Sequence, residues 1–274
     1  MRAMMGPPAI NGRFFYNEAI TGFNFRTESI RLDAALEHLL DAASHAQPMA
    51  LAVQSLPLWG ALPGFAEENR MALLPPTIEP RAWLGNKVTV AAHHDPSENI
   101  ACVVAGKRTV TVFPPSQVGN LSPGPFELPP AGPAISMVDF DSPDAVRFPK
   151  LADALDKALV AELSPGDAIY IPYLWWHHVR STEPLNLLIN YWWSPPAATV
   201  GHPLEAMIHA IAAIRGLPPE ARRGWEAMFN HYVFADQPAG AHLPEARRGI
   251  QGDPPRPEAL GWSQQLLSAR FRKP

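Results

Sequence analysis

Cys102 is the one cysteine in 274 residues, so no intramolecular disulfide can staple the chain and no cage of thiolates can hold a metal. Charge is also scarce. Charged residues make 18% of the chain, and 22 Lys and Arg stand against 26 Asp and Glu, for a formal net charge of -4. No basic stripe is available to track a phosphate backbone, which disfavours a nucleic-acid partner. No run of 18 apolar residues is long enough to span a bilayer, and the opening MRAMMGPPAINGRF lacks the apolar centre of a secretory leader. The expectation is a soluble protein with no membrane partner, in the cytoplasm by default.

Proline is plentiful. The 32 prolines and 18 glycines stay under a fifth of the chain, below the roughly 25–30% that marks disorder, while 47% of the residues are hydrophobic. Many short strands joined by proline-marked turns fit that balance. Short apolar runs bear it out: MALAV, KVTVAA, NIACVVAG, RTVTVFPP, AISMVDF, AIYIP and LNLLINYWW. They lie too close together for the crossover helices of a parallel sheet, so an antiparallel sandwich or barrel is expected.

Helical periodicity appears on either side. Leu32, Leu36, Leu39, Leu40 and Ala43 share a face of a helix over 30–45 that should pack on the core. A shorter helix is expected around LADALDKAL, inside a proline-rich insertion over 114–165. Later, Met207, Ile208 and Ile211, then Trp225, Met228, Phe229 and Tyr232, mark a helical hairpin over 203–234. The expected organisation is a domain over 1–236, with a lead-in (1–82), a barrel core (83–193) and the hairpin, followed by a loosely ordered tail over 237–274.

Two histidine doublets carry the chemistry. In the strand-like KVTVAA-HHD, side chains alternate, so His93 and Asp95 point one way and His94 the other. Two imidazoles and one carboxylate make the facial triad that leaves positions open on non-haem Fe(II), and the same donors suit Zn(II) or Mn(II). The third ligand would come from the later doublet, and alternation leaves both His177 and His178 open. The plainer alternative is a satisfied core histidine, an Asp95 that starts a turn before Pro96, and a histidine pair at a strand edge. In RTVTVF, Arg108 shares a face with Val110 and Val112. A guanidinium on an apolar face needs an anion, and its fork suits a carboxylate, unless Arg108 merely ends the strand at a solvated edge.

Two stretches, WLGNKVTVAAHHDPSENIACVVAGKRTVTVFPPS (83–116) and SPGDAIYIPYLWWHHVRSTEPLNLLINYWW (164–193), resemble the signature blocks of the Jumonji C and cupin-like 2-oxoglutarate oxygenases. The closer likeness is to the branch that contains the asparaginyl hydroxylase of hypoxia-inducible factor and bacterial cupin-like proteins. The shared elements are an HxD before an Asn, a G-x-[KR] turn leading into an apolar strand that ends FPP, and a PGD…IP…WWHH…N-[FY]-W block. The resemblance extends from about Tyr16 to Phe234.

The resemblance implies a double-stranded β-helix fold and an Fe(II)- and 2-oxoglutarate-dependent hydroxylase. The metal ligands, which are the catalytic set, would be His93, Asp95 and His178, and the choice of His178 over His177 rests on the resemblance alone. Arg108 would bind the far carboxylate of 2-oxoglutarate, where some members have Lys. Asn99 and Asn190 match asparagines near the cosubstrate. Thr89 would supply a hydroxyl, although the family's threonine sits one position nearer the HxD. The prime substrate, a protein side chain or a small molecule, stays open. A homodimer through 203–234 is expected, because the two apolar faces of the hairpin exceed what one barrel side can cover. The rivals are a metal-dependent isomerase, a dioxygenase without 2-oxoglutarate, and a non-catalytic binding module of the same fold.

Overall fold

The described residues of this computed structural model are 1–130, 132–194 and 201–271. Their strands are β1 (Arg2–Gly6), β2 (Arg13–Phe14), β3 (Arg26–Ser29), β4 (Ala50–Pro57), β5 (Pro80–Gly85), β6 (Thr89–His94), β7 (Glu98–Ala105), β8 (Arg108–Phe113), β9 (Leu159–Leu163), β10 (Ala168–Ile171), β11 (Trp176–Ser181) and β12 (Asn186–Trp193). The helices are α1 (Leu32–Ala42), α2 (Leu58–Ala61), α3 (Phe65–Glu68), α4 (Leu151–Leu155), α5 (Pro203–Ile214), α6 (Pro219–Tyr232) and α7 (Pro257–Phe271).

The strands form a seven-stranded sheet, β10-β7-β12-β5-β4-β1-β3, and a five-stranded sheet, β2-β6-β11-β8-β9. Pairing is antiparallel except between β2 and β6. Alternation explains how the sheets face each other: Ala101 and Val103 of β7 and Leu188 of β12 meet Val110 and Val112 of β8 and Leu163 of β9 in one buried cluster. This is the jelly-roll barrel that the short apolar runs suggest.

The outer faces are covered by different pieces of chain. α1 sets Ala35 and Leu39 against Ala3, Leu51, Val53 and Leu84 of the large sheet. Its covering face is narrower than the periodicity suggests, for Leu36 and Leu40 are exposed. Across the small sheet, the insertion after β8 lays Leu121 and Ala154 of α4 on Ala92, Phe113 and Trp176. AISMVDF belongs to this insertion and is not a strand. Its one ladder contact is an isolated bridge from Ser136 to Pro123, while the buried Ser136 hydroxyl donates to the Leu121 carbonyl at 2.6 Å.

The β7–β8 turn shows why its sequence is G-x-R. Gly106 has φ +75°, and a Cβ there would sit 2.1 Å from Asn186 Oδ1 and 2.6 Å from the Leu185 carbonyl oxygen. Only glycine combines that conformation with that approach, and it delivers Arg108 to the first position of β8.

The chain divides into two compact units, Met1–Pro195 and Pro196–Pro274. The expected boundary at 236 lies inside the second unit, which holds the two helices expected at 203–234. The expected tail over 237–274 holds α7. Within the second unit, α5 starts on a capping box in which His202 and Glu205 exchange side-chain and backbone hydrogen bonds. Neither α5 nor α6 buries a residue.

Candidate active site

β6 and β11 lie side by side, and their register brings the two doublets together. His177 is opposite both His93 on β6 and Val112 on β8. Val112 belongs to the inner face, so its partner His177 does too. His178 is opposite Thr111 and points outward. Ligand atoms of His93, Asp95 and His177 all lie within 4.8 Å of one another, with the His177 Nε2 3.6 Å from Asp95 Oδ2. The structure therefore corrects the expected third ligand from His178 to His177. His178 stacks against Phe140 of the insertion at 4.8 Å on the far side of the strand. His94 is also turned outward, edge-on to Trp176.

The hydrogen bonds of the cluster suit a metal. Nδ1 of His93 is 2.9 Å from the Ala91 carbonyl oxygen, and Nδ1 of His177 is 3.2 Å from that of Trp175. A carbonyl only accepts, so each Nδ1 carries the proton and each Nε2 keeps its lone pair free. Burial lowers the His177 imidazole, chiefly by desolvation and secondarily through the neighbouring His93, which favours the neutral form that a ligand must have. Asp95 Oδ2 is buried with no hydrogen-bond partner, the kind of orphaned oxygen that a cation would satisfy. The donor set, two imidazoles and a carboxylate, fits Fe(II), Mn(II) or Zn(II).

These residues open into a cavity of ≈ 140 Å³ between the sheets, lined also by Thr89, Asn99, Arg108 and Asn190. Arg108 lies at 6% exposure inside the barrel rather than at a solvated edge. Burial lowers its guanidinium to about 10, which leaves it cationic at neutral pH. Its Nε is buried without a partner, and its one hydrogen bond is a long one, 3.5 Å from Nη2 to the Trp83 carbonyl. A buried cation with no carboxylate beside it is costly unless a ligand supplies the anion. Nearby, Trp83 Nε1 donates to Asn190 Oδ1 at 2.8 Å, and Asn190 Nδ2 donates to Asn99 Oδ1 at 3.1 Å. This relay fixes both amides and leaves the Asn99 Nδ2 donor at the cavity wall. Of the expected site residues, His93, Asp95, Thr89, Asn99, Arg108 and Asn190 meet in one cavity, and His178 does not. Gln54 of the wall carries no signal in the sequence beyond its type, whereas Trp83 and Trp192 fall in the two signature blocks.

A family model described as a cupin-like domain matches residues 1–199. Among curated proteins, the chain is 35% identical over 114 residues to "Lysine-specific demethylase JMJ31" of Arabidopsis thaliana, a segment that is 40% of this chain and 20% of that protein. It is 32% identical over 114 residues to "Lysine-specific demethylase 8" of Xenopus tropicalis, covering 41% of this chain and 24% of that one. The chain thus spans under a third of the length of these relatives. Among solved structures, that of YcfD, a ribosomal oxygenase from Escherichia coli in complex with cobalt and 2-oxoglutarate, aligns with 14% identity and a TM-score of 0.39, over 100% of this chain and 56% of that one.

Proposed function

We propose that this chain, which belongs to the cupin-like domain family, is an oxygenase dependent on Fe(II) and 2-oxoglutarate that hydroxylates a substrate held at the mouth of its barrel. The observation that carries the proposal is Arg108, a buried and unpaired guanidinium in the same cavity as His93, Asp95 and His177. A metal site whose ligands carry no acid group has no use for a buried cation in the same cavity, so isomerisation or oxygenation of a neutral substrate is disfavoured. When bound, Fe(II) and 2-oxoglutarate supply the redox chemistry, in which O₂ is reduced as 2-oxoglutarate loses CO₂ to give succinate and a substrate C–H bond gains oxygen.

The chain itself binds, orients and shields. His93 and His177 present Nε2 from carbonyl-anchored rings, and Asp95 supplies the charge that neutralises part of the cation. Arg108 holds the far carboxylate of 2-oxoglutarate with charge-assisted hydrogen bonds. Asn99, steadied by Asn190 and Trp83, offers an amide donor, and Thr89 a hydroxyl, within the same cavity. Val110, Ile171, Val179 and Leu188 keep the surroundings apolar, which strengthens each polar contact and limits water.

Anaerobic titration with Fe(II) and then 2-oxoglutarate, followed by succinate release on admitting oxygen, tests the reading. Arg108→Leu should keep Fe(II), lose saturable 2-oxoglutarate binding, and raise the stability of the unliganded protein by about 1–3 kcal/mol by removing an uncompensated buried charge. Unaltered 2-oxoglutarate affinity in that variant would refute the assignment. We also infer a homodimer through the helices of 203–234. Among the described residues no helix is long and apolar enough to cross a membrane.

A further inference from the structure

A second chamber of ≈ 440 Å³ adjoins the first, and Met4, Gln54, Trp83, Pro130 and Trp192 line both. The first chamber is small and already contains the triad and Arg108, whereas the second falls within the size range of ligand pockets. Its wall is built by an irregular strand. The pairing of β4 with β5 shifts register between Val53 and Leu56, and Ser55 sits there at φ +54°. In a regular strand Gln54 and Ser55 would face opposite ways; here both line the second chamber. A non-glycine residue held at positive φ is strained, and such strain gathers at binding sites.

The polar groups of this chamber are cationic or neutral, and several lack partners. Arg2, which is exposed at the open side of the chamber, makes no ion pair or side-chain hydrogen bond among the described residues, and neither does the half-buried Gln54 amide. Trp192 Nε1 is buried with no acceptor. Arg81 is held behind the wall, where Nη1 donates to the Ser55 carbonyl at 3.3 Å and to Ser55 Oγ at 3.1 Å, again without a carboxylate. Among the described lining residues the second chamber contains no Asp or Glu, and the one carboxylate of the first, Asp95, belongs to the triad. A cation entering would meet no carboxylate, only neutral oxygens such as those of Thr27, Gln54 and Ser55, and Trp83 and Trp192 stand edge to face at 5.6 Å and so do not enclose a cage.

We propose that the second chamber receives a substrate bearing a carboxylate near the reacting carbon, bound by Arg2, Gln54 and Trp192, and discriminates against cationic side chains. The proposal rests on the oxygenase reading and adds the substrate class. The full-length protein loaded with Mn(II) in place of iron and with 2-oxoglutarate is titrated calorimetrically with peptides Gly-Ser-Ala-X-Ala-Ser-Gly, where X is Glu, Gln or trimethyl-lysine. The Glu peptide should bind about threefold more tightly than the trimethyl-lysine peptide, with Gln between, as expected for one charge contact at an exposed Arg. Arg2→Glu should invert that order, and Gln54→Ala should weaken the Glu peptide while leaving the order intact. N-acetylglutamate amide binding as tightly as the Glu peptide assigns a small acid, and weaker binding assigns an acidic peptide. No difference among the peptides, including no binding, or an order unchanged by Arg2→Glu, overturns the proposal. Failure of the wild type to bind 2-oxoglutarate under Mn(II) instead overturns the oxygenase reading, so the two failures are distinct.

Discussion

His177 and His178 are adjacent, alike and both buried, yet they do different work because β11 has two faces. Loss of stoichiometric Fe(II) binding is expected for His93→Ala, Asp95→Ala and His177→Ala, and retention for His178→Ala and His94→Ala. Anaerobic calorimetry reads it, and full occupancy in the His177→Ala protein would reject the triad. His178 should instead matter for stability. Burial under Phe140 lowers its imidazole to about 4 from the ordinary 6.5, mainly by desolvation, with Asp141 opposing and Arg180 and Arg13 adding to the shift. The unfolded chain then binds the proton more readily than the folded one. The stability that neutral His178 contributes is present above about pH 6.5 and is lost as pH falls towards 4, by up to about 3 kcal/mol. In urea denaturation from pH 7 to pH 4.5, His178→Gln should lose less stability than the wild type; parallel losses would reject the assignment. Alternation within β11 could not choose between these residues. The choice needs the register against β8, where Val112 marks the inner face, and register between strands distant in sequence is not written in either strand alone.

At the scale of elements, the legible parts were those with a local signature. HHD after an apolar run and RTVTVF after a glycine turn each specify a face from a handful of neighbours, and the structure places them accordingly, whereas the α1 periodicity gives the helix but only part of its face, since Leu39 is buried and Leu36 and Leu40 are exposed. AISMVDF read as a strand because it is apolar and β-branched. It lies in the insertion, where Ile135 packs with Ala91 and Tyr16 at the cavity, Ser136 bonds through its N–H to the Ala92 carbonyl of β6, and Phe140 packs against Phe113 and Trp176 on the outer face. The short β1, β2 and β3 were folded into an undivided lead-in, since two to five residues carry too little periodicity to stand out. The β7–β8 turn gives the sharpest test of an element acting on the site. Gly106→Ala forces a Cβ onto Asn186 and Leu185 at positive φ, and should cost on the order of 2 kcal/mol or more. Because the same turn places Arg108, 2-oxoglutarate affinity should fall with stability while Fe(II) binding persists in the folded fraction. A variant as stable as wild type would show that the turn can relax, and the argument for its glycine would fail.

Across the whole molecule, the boundary at 195/196 separates a barrel that holds every candidate site residue from a helical unit that holds none. The expected line after the hairpin follows the resemblance, which extends to about Phe234 and so takes in the amphipathic faces of both helices. Within the second unit those faces remain unburied: Met207, Ile208 and Ile211 on α5 and Trp225, Met228 and Tyr232 on α6 are each 44–51% exposed. So much apolar helix surface in contact with water is unfavourable, and a self-complementary twofold contact is the common way to bury it. The proposed homodimer follows. Light scattering at micromolar concentration should give twice the 30.0 kDa chain mass for the full-length protein. Deleting 196–274 should leave a monomer that still binds Fe(II), since the triad and the cavity around it lie within 1–195. Met228→Glu with Ile211→Glu should dissociate the full-length dimer without loss of the metal, because a charge on each face cannot be buried against its own copy without a partner. A full-length monomer at that concentration, or a dimer that survives both substitutions, would place the contact elsewhere or remove it.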